Sequence, residues 1–361
     1  MKSTIRLLLR EGSNPPRRTA ITEQGANAWI VEPWQEYLEG TRVGLYHFRM
    51  DLALQNPSSR PVEVSLSIRW PHLPEITRKL LDFVYVSTGT ESIRRIAGTV
   101  EGSTVYVRFA VPPGDSWVST NPPWHVAHND AWFRTMRARG ARVGVIGRSA
   151  QGRPIRVVEF GHGPRRTLVV ARMHPYESAS SFCAVGLAEW LTKAAPKRLL
   201  REWSVQIVPV ASPDGVAQGC TRLTGVGGVD LNIEGIDSDD PTALALCAWV
   251  DRERPDVFLN FHNWMSQTVN GVGYFEKADL WSFLEAFDAM VWDGRTWYAS
   301  RIGEDLKPGD PVRQRLDRHC REAFGSLCYI LEFPWNGSTP RSLRLSGARG
   351  FRAALAAYGK R

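Results

Sequence analysis

Long apolar runs are missing from this 361-residue chain. The one near its start, Leu7 to Leu9, is followed at once by Arg10 and Glu11 and is too short for the core of a signal peptide. Elsewhere no run reaches the roughly 18 apolar residues that a membrane-spanning helix needs. We therefore expect no secretory leader and no membrane partner, and we expect the protein in the cytoplasm.

Cysteine is scarce, and its spacing shows no pattern. The chain has five cysteines, an odd number, and no CxxC motif. Such a set argues against a disulfide framework and indicates the reduced thiols of a cytosolic protein. Two of them could pair, although a buried free thiol at each is favoured. Those two are Cys320 and Cys328.

Lysine is also scarce, because only seven of the 45 basic residues are Lys and the rest are Arg. The net charge is +8, but the arginines are scattered and never run longer than Arg-Arg. This scatter argues against a basic tail or stripe for nucleic acid, and we expect no nucleic-acid partner. A genome-wide preference for Arg over Lys explains most of the arginine excess. Surface ion pairs are the alternative explanation.

The length and the hydrophobic patterning predict two domains. In residues 1–120, Val62 to Trp70 and Thr104 to Val111 alternate between apolar and polar residues, and turn residues follow them. Period-2 runs with such punctuation predict an N-terminal antiparallel β-sandwich domain.

From residue 121 to 361 the pattern changes to apolar strands that alternate with helices. Strands are predicted at Thr167–Met173, Val257–Phe261 and Leu327–Phe333, and helices at Ser178–Lys193 and Val312–Phe324. This alternation predicts an α/β catalytic domain, an α/β/α sandwich with a mixed sheet covered on both faces.

Ionisable side chains stand where three of these strands end. His174 and Glu177 follow the first strand, His262 follows the second, and Glu332 lies near the end of the third. Open α/β sheets carry their sites at the carboxyl ends of strands. Two His and one Glu are a usual ligand set of hydrolytic zinc, and Glu332, a lone charge in an apolar strand, is placed to act as a general base.

The second half resembles the zinc carboxypeptidase family, and within it the cytosolic carboxypeptidase branch of the tubulin-deglutamylase type. The likeness covers residues 121–337, and a β-sandwich before the catalytic domain is similar to that branch too. Seven motifs follow one another in the family's order. They are residues 146–155, 174–177, 212–216, 219–222 and 228–232, then His262 and Glu332.

The resemblance implies a metallocarboxypeptidase that cleaves C-terminal peptide or amide bonds. It implies one Zn²⁺ held by His174, Glu177 and His262, with Glu332 as the general base for a zinc-activated water. The expected partner is a peptide or amide substrate, whose C-terminus could be acidic.

Three further roles come from the same resemblance. Arg222 would stabilise the oxyanion and contact the substrate, and Asn232 would bind the terminal carboxylate. Asp230 would accept a hydrogen bond from the ring of His174 and so orient it. Without the motif order, a surface ion pair for Arg222 and local turn capping for Asp230 and Asn232 would be favoured.

One position departs from the family pattern. An Arg that clamps the substrate's carboxylate normally follows the Asn, and here Ile233 stands there, before Glu234. Another Arg could reach the pocket, with Arg148, Arg301 and Arg313 as unranked candidates. Alternatively the protein is a zinc amidase or N-acyl amino-acid deacylase of the same fold, or it has lost exopeptidase activity.

Two weaker signals precede the strand of Glu332. Tyr298 is the best candidate for a loop tyrosine that takes part in catalysis, although a packing role is favoured. An arginine-rich segment, with Arg315 and Arg318 on one helix face, could attract acidic peptides. A solvated helix face that includes Asp317 and Glu322 is the favoured interpretation.

Overall fold

The computed structural model describes residues 4–8, 10–12, 19–34, 36, 49–70, 81–90, 92–235, 238–263, 270–288, 297–302, 315–334 and 338–361. Its contacts divide the chain into two compact units. Unit 1 comprises residues 1–128 together with residues 215–222, and unit 2 comprises residues 129–214 and 223–361. The predicted domain boundary at residue 120 stays a prediction.

Unit 1 contains two five-stranded sheets, ordered β1-β4-β10-β6-β7 and β2-β3-β5-β9-β8. Inward-facing residues such as Val64, Leu66 and Ile68 of β5 are buried while their neighbours are not, as the alternation predicts. The strands are β1 Arg6–Leu8, β2 Ala20–Gly25, β3 Ala28–Glu32, β4 Asp51–Asn56, β5 Val62–Arg69, β6 Phe83–Ser87, β7 Ile93–Ala97, β8 Thr99–Glu101, β9 Thr104–Val111 and β10 Gly114–Ser119.

The strand pairs of unit 1 are antiparallel as predicted, with one exception. β3 and β5 run parallel, with Trp29 opposite Leu66. Between these two strands the chain crosses to the other sheet and forms β4, so β5 returns in the same direction as β3. The antiparallel prediction is wrong for this pair alone among the described strands.

Unit 2 is built on an eight-stranded mixed sheet, ordered β11-β12-β14-β13-β15-β18-β16-β17. Its four central strands, β14, β13, β15 and β18, are parallel. The predicted mixed sheet is thereby confirmed. The strands are β11 Arg142–Arg148, β12 Pro154–Gly161, β13 Arg165–Ala171, β14 Trp203–Val208, β15 Val257–His262, β16 Asn270–Tyr274, β17 Trp297–Arg301 and β18 Leu327–Glu332.

Helices alternate with these strands. A helix with a broad apolar surface, α2 (Ser178–Lys193), packs closely on α9 (Pro340–Tyr358). A Cβ at Gly347 of α9 would lie 2.0 Å from the carbonyl oxygen of Cys183, so only glycine fits there. The helices are α1 Val126–Ala138, α2 Ser178–Lys193, α3 Lys197–Glu202, α4 Pro213–Ala217, α5 Leu231–Glu234, α6 Pro241–Glu253, α7 Lys277–Asp288, α8 Leu316–Phe324 and α9 Pro340–Tyr358.

Two sequence expectations concern the chain as a whole. All five cysteines carry free thiols, and all but Cys247 are buried. Within the described ranges, no helix combines the length and the apolar character needed to cross a membrane.

Candidate metal centre and active site

Three parallel strands bring the predicted site residues to one edge of the sheet. β13 pairs with β15, with Ala171 opposite Phe261, and β15 pairs with β18, with His262 opposite Glu332. Residues in register on parallel neighbours project to the same face. The side chains of His262 and Glu332 are therefore neighbours at the carboxyl ends of their strands.

A tight turn places His174 and Glu177 after β13. The backbone of Arg172 adopts a left-handed conformation, with φ of 60°. A residue other than glycine adopts this conformation only when its surroundings impose it. Those surroundings are hydrogen bonds from its backbone N–H to Ser180 Oγ, 3.1 Å, and from its Nε to the carbonyl of Pro175, 2.8 Å. The chain reverses here and enters α2 with Glu177 at the N-cap.

His174, Glu177 and His262 converge on one point. Nδ1 of His174 lies 2.7 Å from Glu177 Oε1, and Nδ1 of His262 lies 2.7 Å from Glu177 Oε2. One potential ligand atom from each residue lies within 4.8 Å of the others, and all three side chains are buried. Two imidazoles and one carboxylate gathered in this way are a donor set that suits Zn²⁺.

The electrostatics of this cluster favour the protonation states that bind a metal. Burial acts against the charge of Glu177, but His262 and His174 outweigh it and lower the pKa of Glu177 to about 2. Burial, acting against the attraction of Glu177, lowers the pKa of His262. At neutral pH Glu177 is ionised and the His262 ring is mostly neutral, so both can donate electron pairs to a cation.

Asp230 contacts the other edge of the His174 ring. Its Oδ1 lies 3.1 Å from His174 Nε2, and the same oxygen accepts the backbone N–H of Asn232 at 2.9 Å. Asp230 is fully buried and caps the short helix α5. One carboxylate thus caps the turn and contacts the His174 ring, and its ring-orienting role stays a prediction.

One residue of this cluster, Asn263, is not among the residues predicted from the sequence. The backbone N–H of Asn263 donates to Glu177 Oε2 at 3.2 Å, and Asn263 Oδ1 accepts the backbone N–H of Ser180 at 3.1 Å. Asn263 thereby links the end of β15 to the first turn of α2 and holds Glu177 between them. Its position directly after His262 was the available signal.

Asp214 connects two of the sequence motifs through hydrogen bonds. Its carboxylate accepts from Ser149 Oγ at 2.7 Å, the backbone N–H of Gln151 at 2.8 Å and Arg153 Nη1 at 2.7 Å. The motifs at 146–155 and 212–216 thus join through one buried carboxylate. Their contribution is to hold the loops beside the sheet.

Arg222 lies in the segment 215–222, which belongs to unit 1. Its backbone N–H donates to Glu36 Oε2 at 2.6 Å. Nearby, the buried guanidinium of Arg49 donates to the carbonyls of Cys220 at 2.7 Å and Val216 at 3.1 Å, and pairs with Asp51 at 2.5 Å. Glu36 is itself buried, and the role of the Arg222 side chain stays a prediction.

The structure gives the positions of two of the three arginines that were considered as replacements for the Arg missing at position 233. Arg148 ends edge strand β11, four strands from β15, and donates to the carbonyl of Gly152 at 2.8 Å. At about 4.8 Å per strand this is about 19 Å. Arg301 pairs with Tyr274, three residues along β16 from the Gly271 that pairs with Glu332, and its Nε donates to the carbonyl of Phe275. Arg313 lies outside the described residues.

Two tyrosines between His262 and Glu332 were considered for a catalytic role. Tyr329 is buried and donates from its hydroxyl to the carbonyl of Asp279 at 2.7 Å, so it packs. Tyr298 lies in β17, and its side chain is outside the described part of the structure. Its proposed catalytic role stays a prediction.

Known proteins resemble this chain in sequence and in fold. Residues 130–238 match the sequence profile of the family described as zinc carboxypeptidase. An uncharacterised protein of Zymomonas mobilis is 31% identical over 144 residues, which are 39% of this chain and 34% of that protein. Human cytosolic carboxypeptidase 4 is 41% identical over 76 residues, which are 20% of this chain and 7% of that protein.

A metallo-carboxypeptidase from Burkholderia cenocepacia has the same fold, with a TM-score of 0.80 over 99% of both chains at 17% identity. The chain spans 34% or less of the two sequence relatives, so the likeness to them is one of a domain. The profile, the human relative and the fold agree with the resemblance carried by the motifs. Residues 130–238 of this chain therefore match the zinc carboxypeptidase family, and the chain has the fold of a bacterial metallo-carboxypeptidase.

Proposed function

We propose that this protein is a zinc metallocarboxypeptidase that hydrolyses the C-terminal peptide bond of a peptide, acting in the cytoplasm. The observation that carries the proposal is the convergence of His174, Glu177 and His262 on one buried point, with Glu332 beside His262. This donor set leaves room for a substrate or water ligand, as hydrolytic zinc sites do.

The metal supplies Lewis-acid chemistry when it is bound by these three residues: it polarises a carbonyl and lowers the pKa of water to about 7. The chain supplies the proton transfers. Glu332 accepts the proton of the attacking water and later delivers it to the nitrogen of the leaving amine, so that one carboxylate serves as base and then as acid.

Three residues support these steps in the proposal. Arg222 donates hydrogen bonds to the oxyanion that develops on the carbonyl, a role that typically contributes 10²–10³-fold to the rate. Asn232, at the start of α5, contacts the substrate's terminal carboxylate. Asp230 fixes the ring of His174 and thereby the direction of its Nδ1 lone pair.

A second candidate is a zinc amidase or N-acyl amino-acid deacylase. The observation in its favour is Ile233, which lies in α5 next to Asn232, where the family pattern has a carboxylate-binding Arg. An enzyme whose substrate has no free carboxylate at this point would not need the cation.

A substrate panel tests both candidates. The zinc-loaded protein is incubated with peptides that end in Glu or in an apolar residue and, separately, with N-acyl amino acids; mass spectrometry measures the released amino acid. Release from the peptides supports the carboxypeptidase, and release from the N-acyl amino acids alone supports the deacylase.

The Glu332→Gln variant tests the assignment of the base. It should retain one zinc per chain yet lose about 10²–10⁴-fold in kcat, as removal of a general base does. Glu322→Gln, at an exposed position of α8, is the matched control and should keep full activity. Unchanged turnover of Glu332→Gln contradicts the mechanism.

A further inference from the structure

Arg315 lies near the carboxyl ends of the strands that carry the candidate metal centre. Its helix α8 ends at Phe324 and turns through Gly325 into β18, whose first residue Leu327 pairs with Val257 at the far end of β15. A helix that returns into the strand in this way runs alongside it in the opposite direction. The start of α8, where Arg315 is the N-cap, is therefore beside the carboxyl ends of β15 and β18.

Packing also places α8 against β15 and β18. Leu316 belongs to the same buried cluster as Met173, which directly precedes His174, and Leu231, which lies between Asp230 and Asn232. These residues therefore share one buried cluster on the sheet. The positive charge of Arg315 agrees with this, since it adds to the burial that lowers the pKa of His262.

The guanidinium of Arg315 is bound by Asp317 along its Nε/Nη2 side. Its Nε and Nη2 donate to the two oxygens of Asp317 at 3.0 and 2.9 Å. Asp317 is 1% exposed and Arg315 12% exposed, and Asp317 is fixed in turn by the backbone N–H of Arg318 at 2.9 Å. The interpretation of this segment as a solvated helix face is wrong for Arg315.

This arrangement leaves the other side of the fork available. A guanidinium has five N–H groups, and a carboxylate can bind either its Nε/Nη2 side or its Nη1/Nη2 end. Asp317 occupies the first, and among the described residues Nη1 donates to no acceptor. A cation oriented and partly dehydrated in this way is ready to bind a second carboxylate in bidentate fashion.

We propose that Arg315 binds the terminal α-carboxylate of the substrate and so replaces the arginine that is missing at position 233. The inference rests on the proposed function and specifies how its substrate is recognised. Asp317 acts as a positioning residue, because it holds the fork of Arg315 without contacting the substrate.

The test compares a peptide that has a free C-terminal carboxylate with the same peptide carrying a C-terminal amide. Arg315→Met should lower kcat/KM for the acid about 30- to 1,000-fold, as loss of one partner of a buried charge pair does, and change the amide less than about threefold. Arg315→Lys should restore part of the loss, since an ammonium keeps the charge and not the fork. Arg318→Met, one position beyond Asp317, is the matched control and should leave both substrates unaffected.

Folding is controlled with a second variant, because Arg315→Met alone leaves Asp317 buried and unpaired. The double variant Arg315→Met with Asp317→Asn removes both charges and should show the same selective loss while it retains wild-type zinc content. Equal losses on acid and amide, or no loss on either, would overturn the proposal. So would a loss confined to the preference for Glu over Gln side chains, because Arg315 would then recognise the side chain.

A binding measurement separates failure of this inference from failure of the proposed function. Zinc-loaded Glu332→Gln protein, with and without Arg315→Met, is titrated calorimetrically with the peptide acid and the peptide amide. A preference for the acid that disappears with Arg315→Met supports the role of Arg315 even if the wild-type protein hydrolyses neither peptide. Equal affinities for acid and amide before the change would overturn it.

Discussion

Asp230 lies against Nε2 of His174, while Nδ1 of the same ring faces Glu177. The two contacts take opposite edges of one imidazole, so a proton held toward Asp230 leaves the Nδ1 lone pair directed at the cluster. We expect the contact with Asp230 to orient the His174 ring for a metal at the cluster.

This relationship predicts the effect of changing Asp230. Asp230→Ala should weaken zinc binding about 10- to 100-fold, because the ring loses the acceptor that fixes its tautomer and direction. Competition with a chelating dye measures the affinity. Asp239→Ala, at an exposed position nearby in the chain, is the control; equal affinities for Asp230→Ala and the wild type would exclude the ring-orienting role.

Removing a ligand should have a larger effect. His262→Ala takes away one of the three donors and should reduce zinc from one per chain to well below half after dialysis, as measured by atomic emission. His319→Ala removes a partly exposed imidazole that pairs with Asp251 on the same unit and should leave the zinc content unchanged. Full zinc occupancy in His262→Ala would disprove the proposed ligand set.

Zinc retention should depend on pH through the histidines. The pKa of His262 is lowered from 6.5, whereas the pKa of Glu177 is about 2. Zinc should therefore be held at and above pH 6.5 and be lost as the pH falls below that value and protons compete at the imidazoles, while Glu177 is still ionised. Equilibrium dialysis between pH 4 and pH 8 measures this, and full retention down to pH 4 would contradict it.

The same shifts affect the stability of the zinc-free protein. Because the folded-state pKa of His262 is depressed, its contribution to stability is present above the unfolded value of 6.5 and is lost as the pH falls through the folded value. The thermal unfolding temperature of the metal-free protein should fall over that interval more than that of His262→Ala.

Unit 1 offers a separate prediction on stability. Arg49→Met leaves Asp51 as an uncompensated buried charge and leaves the carbonyls of Val216 and Cys220 without their donor, so it should cost about 3–5 kcal/mol. Arg69→Met breaks the exposed pair with Glu32 and should cost less than about 1 kcal/mol. Urea unfolding of both variants provides the comparison, and similar midpoints would show that the buried pair adds no stability.

The pH dependence of the Arg49–Asp51 pair has a definite sign. Burial acts to raise the pKa of Asp51, but Arg49 and His125 outweigh it and the net shift is downward. Its contribution is therefore present above the unfolded value of 3.8 and lost as the pH falls below it. The difference in stability between Arg49→Met and the wild type should shrink in acid.

The candidate site could be predicted from the sequence because its signals are local. His174, Glu177, His262 and Glu332 each stand at the end of an apolar run, and strand ends in an open α/β sheet meet at one edge. The mixed sheet followed from the same alternation of strands and helices.

What sequence reasoning missed depends on contacts between distant segments. Nothing near Asp214 shows that it binds Ser149 and Arg153, more than 60 residues away. Arg315 and Asp317 have the spacing of an ordinary surface pair, and only their burial distinguishes them. The parallel pairing of β3 with β5 depends on a crossover that no local pattern records.

The membership of residues 215–222 in unit 1 has a consequence for dissecting this protein. A chain truncated to begin at Asn129 would keep these eight residues but lose Arg49 and Glu36, the side chains that satisfy their backbone groups. Unit 1 is therefore made of two separate stretches of the chain, and a single cut cannot remove it. Any attempt to transfer residues 129–361 to another protein must provide a substitute for Arg49 and Glu36.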